Sequence, residues 1–117
     1  MKLLLTVALA LGVLVLPASA NAQGRAARCV VSGNGAPAYR GPCRFIAERG
    51  GSFSVAPQGA KSFPGGVTSV SVFVTETGVA EVRGLTARGV NSRWGTAVRS
   101  RRDRACWEGP DFSVCAY

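Results

Sequence analysis

The 117-residue sequence contains no histidine, and none of its four cysteines forms a C-x-x-C pair with another. Without histidine, the commonest general base and the usual catalytic triads are excluded. The lack of histidine and of a C-x-x-C pair also argues against a structural metal site, because these are the usual ligand patterns for zinc. We therefore expect neither a metal nor a cofactor.

Acidic residues are few, which limits the chemistry further. The six carboxylates are Glu48, Glu76, Glu81, Asp103, Glu108 and Asp111. Glycoside hydrolysis needs two carboxylates that face each other across a cleft. Glu108 and Asp111 are close in sequence, but they flank Gly109 and Pro110 at a predicted hairpin tip, where turn-stabilising and solvated roles are favoured. The sequence predicts a protein that is not an enzyme.

Leucine is scarce after residue 20, where only Leu85 occurs, and no stretch of that region shows helical periodicity over three turns. Valine, serine and threonine dominate instead. Val70, Val72 and Val74 alternate with Ser71 and other outward residues, as expected for a strand with one buried face. We predict an all-β domain over residues 29–117, with about seven short antiparallel strands in meander order. The architecture is a small barrel or a sandwich.

The first 20 residues have the three parts of a secretory signal peptide: Lys2, an apolar run over residues 3–16, and small residues ending in an A-x-A arrangement. A membrane anchor is the alternative, but the run is shorter than the roughly 20 residues that span a bilayer. We predict removal of residues 1–20, a flexible leader over residues 21–28, and export to the periplasm or the cell exterior. No membrane span is expected after processing.

All four cysteines lie in the predicted mature chain, and an even number in a small secreted protein indicates two disulfides. Three connectivities are possible. Cys29–Cys43 and Cys106–Cys115 are favoured because each pair brackets a stretch of turn-forming residues. The sequence therefore predicts two hairpins, each closed by a local disulfide.

Two predicted loops, and the predicted strand that follows the second of them, bear on the candidate sites. Residues 56–66 contain two prolines and three glycines and cannot form a central strand. Phe63, within them, either plugs the edge of the core or is exposed for contact. A second loop is expected over residues 89–95. A strand over residues 96–102 would place Arg99 and Arg101 on one face.

Arginine accounts for twelve of the 14 basic residues, and the formal net charge is +8. Such a surface attracts phosphates, sulfates or carboxylates, although arginine richness could also serve solubility alone. Guanidinium groups bind flat anions bidentately, and aromatic rings beside them stack on bases or sugars. The candidate binding residues are Arg99, Arg101, Arg102, Arg104, Trp94 and Trp107. Alternatively, Trp107 caps the core beside Cys106, and Trp94 closes the loop before Gly95.

Six segments carry a resemblance to known proteins: CVVSG, YRGPCRF, GGSFSV, AEVRG, RACW and FSVCAY. Through them the chain resembles a group of small secreted, disulfide-bonded β-proteins of bacteria whose function is uncharacterised. The resemblance covers most of the mature chain and rests on cysteine, glycine and aromatic spacing. It implies a secreted β-domain with disulfides and no particular activity, so no functional residue is transferred.

Two function hypotheses follow from these observations. The first is a non-enzymatic secreted or periplasmic binding or structural module, whose basic surface holds an anionic envelope partner such as lipopolysaccharide, another anionic lipid, an acidic glycan or an acidic protein. The alternative is a protein inhibitor of a secreted hydrolase, a lysozyme or a protease, acting through residues 56–66 or 89–95. Nucleic-acid binding suits the charge but not the compartment, and is not expected. The oligomeric state is left open.

Overall fold

The computed structural model describes residues 6–14, 24–33 and 35–117. Residues 6–14 are exposed and have no regular secondary structure, while residues 1–5 and 15–20 of the predicted signal peptide lie outside the described part. No helix within the described ranges has the length and apolar character needed to cross a membrane.

Eight antiparallel strands close into a barrel in which each strand pairs with the next and the last pairs with the first. The strands are β1 (Arg25–Gly33), β2 (Ala36–Ala47), β3 (Phe53–Pro57), β4 (Val67–Glu76), β5 (Val79–Thr86), β6 (Asn91–Arg99), β7 (Cys106–Glu108) and β8 (Ser113–Ala116). A 3₁₀ turn, Arg49–Gly51, connects β2 to β3. The predicted all-β meander is confirmed, as a barrel rather than a sandwich and with eight strands against about seven.

The barrel interior is filled mainly by valine. Val70 and Val72 of β4 are fully buried, whereas Phe73, which follows Val72, is 61% exposed on the outer face. Ala80 and Val82 of β5 are also buried. An eight-stranded barrel encloses just enough space for side chains to fill, so branched and small residues suit its interior. The alternation along β4 and β5 is therefore confirmed.

Both predicted disulfides are present, on opposite faces of the barrel wall. Cys29–Cys43 links β1 to β2 within the core, where its two residues are 1% and 0% exposed. Cys106–Cys115 joins directly opposed residues of β7 and β8 outside the core cluster, and the Tyr117 hydroxyl lies 3.6 Å from the Cys106 Sγ. Two disulfides are typical of a protein that folds in an oxidising compartment.

The first strand starts earlier than the sequence predicts. Residues 25–28, assigned to a flexible leader, belong to β1 and pair with residues 42–45 of β2. Residues 21–23 of that leader lie outside the described part of the chain. Alanine and arginine have little intrinsic strand preference, so here the pairing with a long neighbouring strand decides the conformation.

The predicted loop at residues 89–95 and the predicted strand at residues 96–102 are both misplaced, because β6 covers Asn91–Arg99. A register shift in the β5–β6 ladder and Gly95, at φ 134°, accommodate a sequence that is poor in strand formers. The chain turns after Arg99 because the Ser100 hydroxyl accepts hydrogen bonds from two backbone N–H groups that follow. Arg101 therefore does not share a strand face with Arg99.

The two ends of the barrel differ in character. The end that carries the turns after β1, β3, β5 and β7 is filled with aromatic rings, and we call it the apolar end. Phe63 there is only 2% exposed and packs edge-to-face against Tyr39, at 5.0 Å between ring centroids. Trp94 and Phe112 form a similar pair at 5.9 Å. The plug interpretation of Phe63 is confirmed.

Candidate anion-binding site

The opposite end of the barrel, which we call the basic end, carries half of the arginines. It is formed by the start of β1, the end of β8 and the turns after β2, β4 and β6. The arginines there are Arg25, Arg49, Arg99, Arg101, Arg102 and Arg104. Four of these arginines are close in sequence, and the antiparallel meander brings Arg25 and Arg49 to the same end, because every second turn returns to it.

A cavity of about 270 Å³ opens at the basic end. Its lining includes Arg25, Arg99 and Arg104 together with the rings of Phe45 and Trp107, and we call this set the basic mouth. Within the described residues, no carboxylate lines this cavity. The arrangement is that of a pocket for a small anion, with aromatic surface beside the positive charge.

Strand alternation explains why two of these arginines face inward. Arg25 lies on the same face of β1 as Ala27 and Cys29, and Arg99 lies on the same face of β6 as Ala97. Cys29 and Ala97 belong to the buried core. Arg25 therefore precedes the core residues of β1, Arg99 follows those of β6, and both lie on the inner side of the barrel wall at the end where the barrel opens.

The aromatic rings and a backbone carbonyl hold the guanidinium groups in place. The Cζ atom of Arg25 lies 4.5 Å from the Phe45 ring centroid, and that of Arg99 lies 5.7 Å from the Trp107 ring centroid. The Arg99 Nε donates to the carbonyl of Arg104 at 2.8 Å. Each cation–π contact contributes roughly 0.5–1 kcal/mol at an exposed site. Arginines held in this way lose less side-chain freedom when an anion binds.

Asp103, the carboxylate next to Arg104 in the chain, forms no ion pair with the described arginines of the basic mouth. Asp103 accepts hydrogen bonds from the Tyr117 hydroxyl and the Ala105 N–H instead. The bond to Asp103 raises the pKa of Tyr117 above its ordinary value. In the part of the chain that the structure describes, the ion pair found is Arg93–Glu81, on β6 and β5, and its hydrogen bond lowers the pKa of Glu81.

The six predicted site residues separate into three groups. Arg99, Arg104 and Trp107 meet in the basic mouth, and Trp107 is also a core residue at 5% exposure. Arg101 and Arg102 lie in the exposed turn after β6 and, together with Arg99, line an open cavity of about 600 Å³ whose lining also includes Glu108. The sixth residue, Trp94, is at the apolar end against Phe112 and Gly84. The basic mouth thus brings three of the six together, and Arg99 joins it to the cavity that Arg101 and Arg102 line.

Sequence reasoning missed Arg25 and Phe45. Arg25 falls within the predicted leader. A signal was nevertheless present, because every second residue from Arg25 to Val31 shares one face if this stretch is a strand. No sequence pattern identifies Phe45 as a site residue. Its role arises because it pairs directly with Arg25 between β1 and β2.

The two stretches considered for an inhibitor do not form a pair of projecting loops. Residues 91–95 belong to β6. The loop between β3 and β4 is held to the barrel by Phe63, which is buried and donates its N–H to the Val67 carbonyl at 2.7 Å. The inhibitor hypothesis stays a prediction that gains no structural support from either stretch.

Comparisons of the chain with models of known protein families, with curated proteins and with solved structures gave no match. Among the described residues, no group of three or more cysteine, aspartate or glutamate side chains is placed to hold a metal ion. Function is therefore inferred from the geometry of the basic mouth.

Proposed function

We propose that this protein is an exported, non-enzymatic binding module that holds an anionic partner of the cell envelope in its basic mouth. The observation that carries the proposal is the convergence of Arg25, Arg99 and Arg104 on one cavity without a lining carboxylate. Guanidinium groups recognise phosphate, sulfate and carboxylate through paired hydrogen bonds. The partner is an acidic glycan, an anionic lipid or an acidic protein.

Export is part of the same proposal. The signal-peptide pattern at residues 1–20 supports it, and so do the two disulfides. Removal of residues 1–20 would leave Arg25 within a few residues of the new amino terminus. The positive charge of that terminus would then add to the field of the basic mouth.

The proposal is tested with two charge-matched double variants. Arg25→Ala/Arg104→Ala removes two cations of the basic mouth, whereas Arg101→Ala/Arg102→Ala removes two cations from the neighbouring exposed turn. Protein exported from cells expressing the full chain is passed over immobilised lipopolysaccharide at low and physiological salt. Arg99 is left intact because its Nε donates to the Arg104 carbonyl and so ties the end of β6 to the turn that follows.

Loss of one charge-assisted hydrogen bond weakens binding by roughly 1.5 kcal/mol or more, which is about tenfold. We expect Arg25→Ala/Arg104→Ala to bind about 100-fold more weakly. Arg101→Ala/Arg102→Ala should bind only a few-fold more weakly, because it lowers the positive potential of the surface without removing a contact to the anion. Equal losses in the two variants would mean that net charge alone attracts the partner. Unchanged binding in both would remove the basic mouth as the site.

A further inference from the structure

A second cavity adjoins the basic mouth and differs from it chemically. It has a volume of about 410 Å³ and lies between the 3₁₀ turn, the β4–β5 turn and the end of β6. The residues that line it include Thr75, Glu76 and Thr77. We call it the hydroxyl hollow. Gly51, Arg99 and Trp107 line both cavities and so form their common wall.

The two cavities select for different parts of a ligand. The basic mouth offers three arginines and no carboxylate, so it suits one negatively charged group. Away from the shared Arg99, the hydroxyl hollow offers one carboxylate, which accepts hydrogen bonds from hydroxyl groups and repels anions. The Thr75 hydroxyl donates to the Val79 carbonyl at 3.4 Å and is left to accept from a sugar hydroxyl, whereas the Thr77 hydroxyl is of a type that both donates and accepts.

Two alternative ligand classes fit less well. A polyanion such as a highly sulfated chain would place a second negative group beside Glu76, at an electrostatic cost. A neutral sugar would leave the arginines of the basic mouth without an anionic partner, so it would gain nothing from their positive charge. The combined volume lies in the range of small-molecule sites, roughly 300–1,000 Å³.

From this juxtaposition we infer that the site binds a sugar unit carrying a single anionic group, a phosphate ester, sulfate ester or carboxylate. The anionic group occupies the basic mouth and the sugar ring occupies the hydroxyl hollow, with Arg99 and Trp107 between them. This inference rests on the proposed function, since it names the ligand class of the same site. The sugar is either a free molecule or the end unit of an envelope glycan.

Three probes separate the contributions of the two cavities: a hexose 6-phosphate, inorganic phosphate and the unphosphorylated hexose. Dissociation constants are measured by titration calorimetry on the exported protein. We expect the hexose 6-phosphate to bind at least tenfold more tightly than inorganic phosphate, and the free hexose to bind more weakly than either. Equal affinity for hexose 6-phosphate and inorganic phosphate, or no binding of the sugar ester, would overturn the inference.

Glu76→Gln tests the hydroxyl hollow directly, and Glu48→Gln is its matched control. Glu48 is an exposed carboxylate at the same end of the barrel and does not line either cavity. Glu76→Gln should weaken hexose 6-phosphate binding several-fold, leave inorganic phosphate binding nearly unchanged and strengthen binding of a sulfated polysaccharide. Identical behaviour of the two variants would contradict the assignment of the ring to the hollow.

The outcomes distinguish this inference from the proposed function. If inorganic phosphate and lipopolysaccharide bind through Arg25 and Arg104 but the hexose adds no affinity, the basic mouth stands and the sugar inference fails. If Arg25→Ala/Arg104→Ala leaves all binding unchanged, the proposed function fails as well. Competition between hexose 6-phosphate and immobilised lipopolysaccharide identifies an envelope glycan as the source. Binding of the free ester without competition identifies a free sugar.

Discussion

Removing the inner disulfide should destabilise the barrel more than removing the outer one. The perturbations are Cys29→Ala/Cys43→Ala and Cys106→Ala/Cys115→Ala, whose cysteines are separated by 14 and 9 residues. In the chain-entropy model, these loops contribute about 3.0 and about 2.6 kcal/mol to the free energy of unfolding. Loop length alone therefore predicts almost equal losses.

Packing makes the difference between the two pairs. Cys29 and Cys43 lie within the valine core at 1% and 0% exposure, so replacing them leaves a void where the two sulfurs were. Each lost buried heavy atom costs about 1 kcal/mol. The cysteines of the outer pair are also buried, at 6% exposure each, but they lie outside the core cluster and beside the exposed Tyr117, whose ring can move towards the vacated space. We expect losses of about 5 kcal/mol for the inner pair and about 3 kcal/mol for the outer pair.

Guanidinium denaturation, followed by tryptophan fluorescence, measures these losses. The unfolding free energies must be extrapolated to water rather than read from midpoints, because an unlinked unfolded chain is more expanded and raises the m-value. A loss of about 5 kcal/mol is a large part of the roughly 5–15 kcal/mol that stabilises a typical domain. If the outer variant loses as much as the inner variant, or more, the placement of the two disulfides on opposite faces of the wall is contradicted.

Three further perturbations test the wall and the apolar end. Gly84→Ala should lower the free energy of unfolding by about 1–3 kcal/mol, because the added Cβ would lie 2.7 Å from the Trp94 Nε1. The loss is measured as a lowered melting temperature and should be recovered when Trp94→Phe is added. An unchanged melting temperature in Gly84→Ala would contradict this packing. Tyr117→Phe should flatten the decline in stability at alkaline pH. Because the pKa of Tyr117 is raised in the folded protein, its contact with Asp103 stabilises the fold below pH 10, and this stabilisation is lost as pH rises through the raised pKa. An unaltered alkaline profile would count against the contact. Glu81→Gln should flatten the decline in stability at acid pH. The hydrogen bond from Arg93 lowers the pKa of Glu81, so the pair stabilises the fold above pH 4.5 and this stabilisation is lost as pH falls through the lowered pKa. Parallel acid profiles of the variant and the wild type would refute this expectation.

Much of the barrel could be predicted from local patterns. The alternation at Val70, Val72 and Val74 gives a strand and its buried face, and turn-forming residues between paired cysteines give both disulfides. The patterns fail where pairing overrides local preference. Residues 25–28 and 91–95 are poor in strand formers, yet both become strands because a long neighbour offers a full ladder of hydrogen bonds.

The candidate site was only half predictable, for a related reason. Arg99, Arg104 and Trp107 are close in sequence, so a cluster near the carboxyl terminus could be recognised. Arg25 and Phe45 come from the other half of the chain and reach the same cavity only because the barrel closes. Composition and spacing do not encode that closure.

The most direct test of the central claim is to map where an anion binds. Backbone amide and tryptophan indole resonances are followed by NMR while inorganic phosphate is added to the exported protein. The basic mouth predicts saturable shifts at Gly51, at Ala105 and at the indole N–H of Trp107, all of which line the cavity. Shifts centred instead on Arg101 and Arg102, or spread evenly over the outer strand faces, would contradict it.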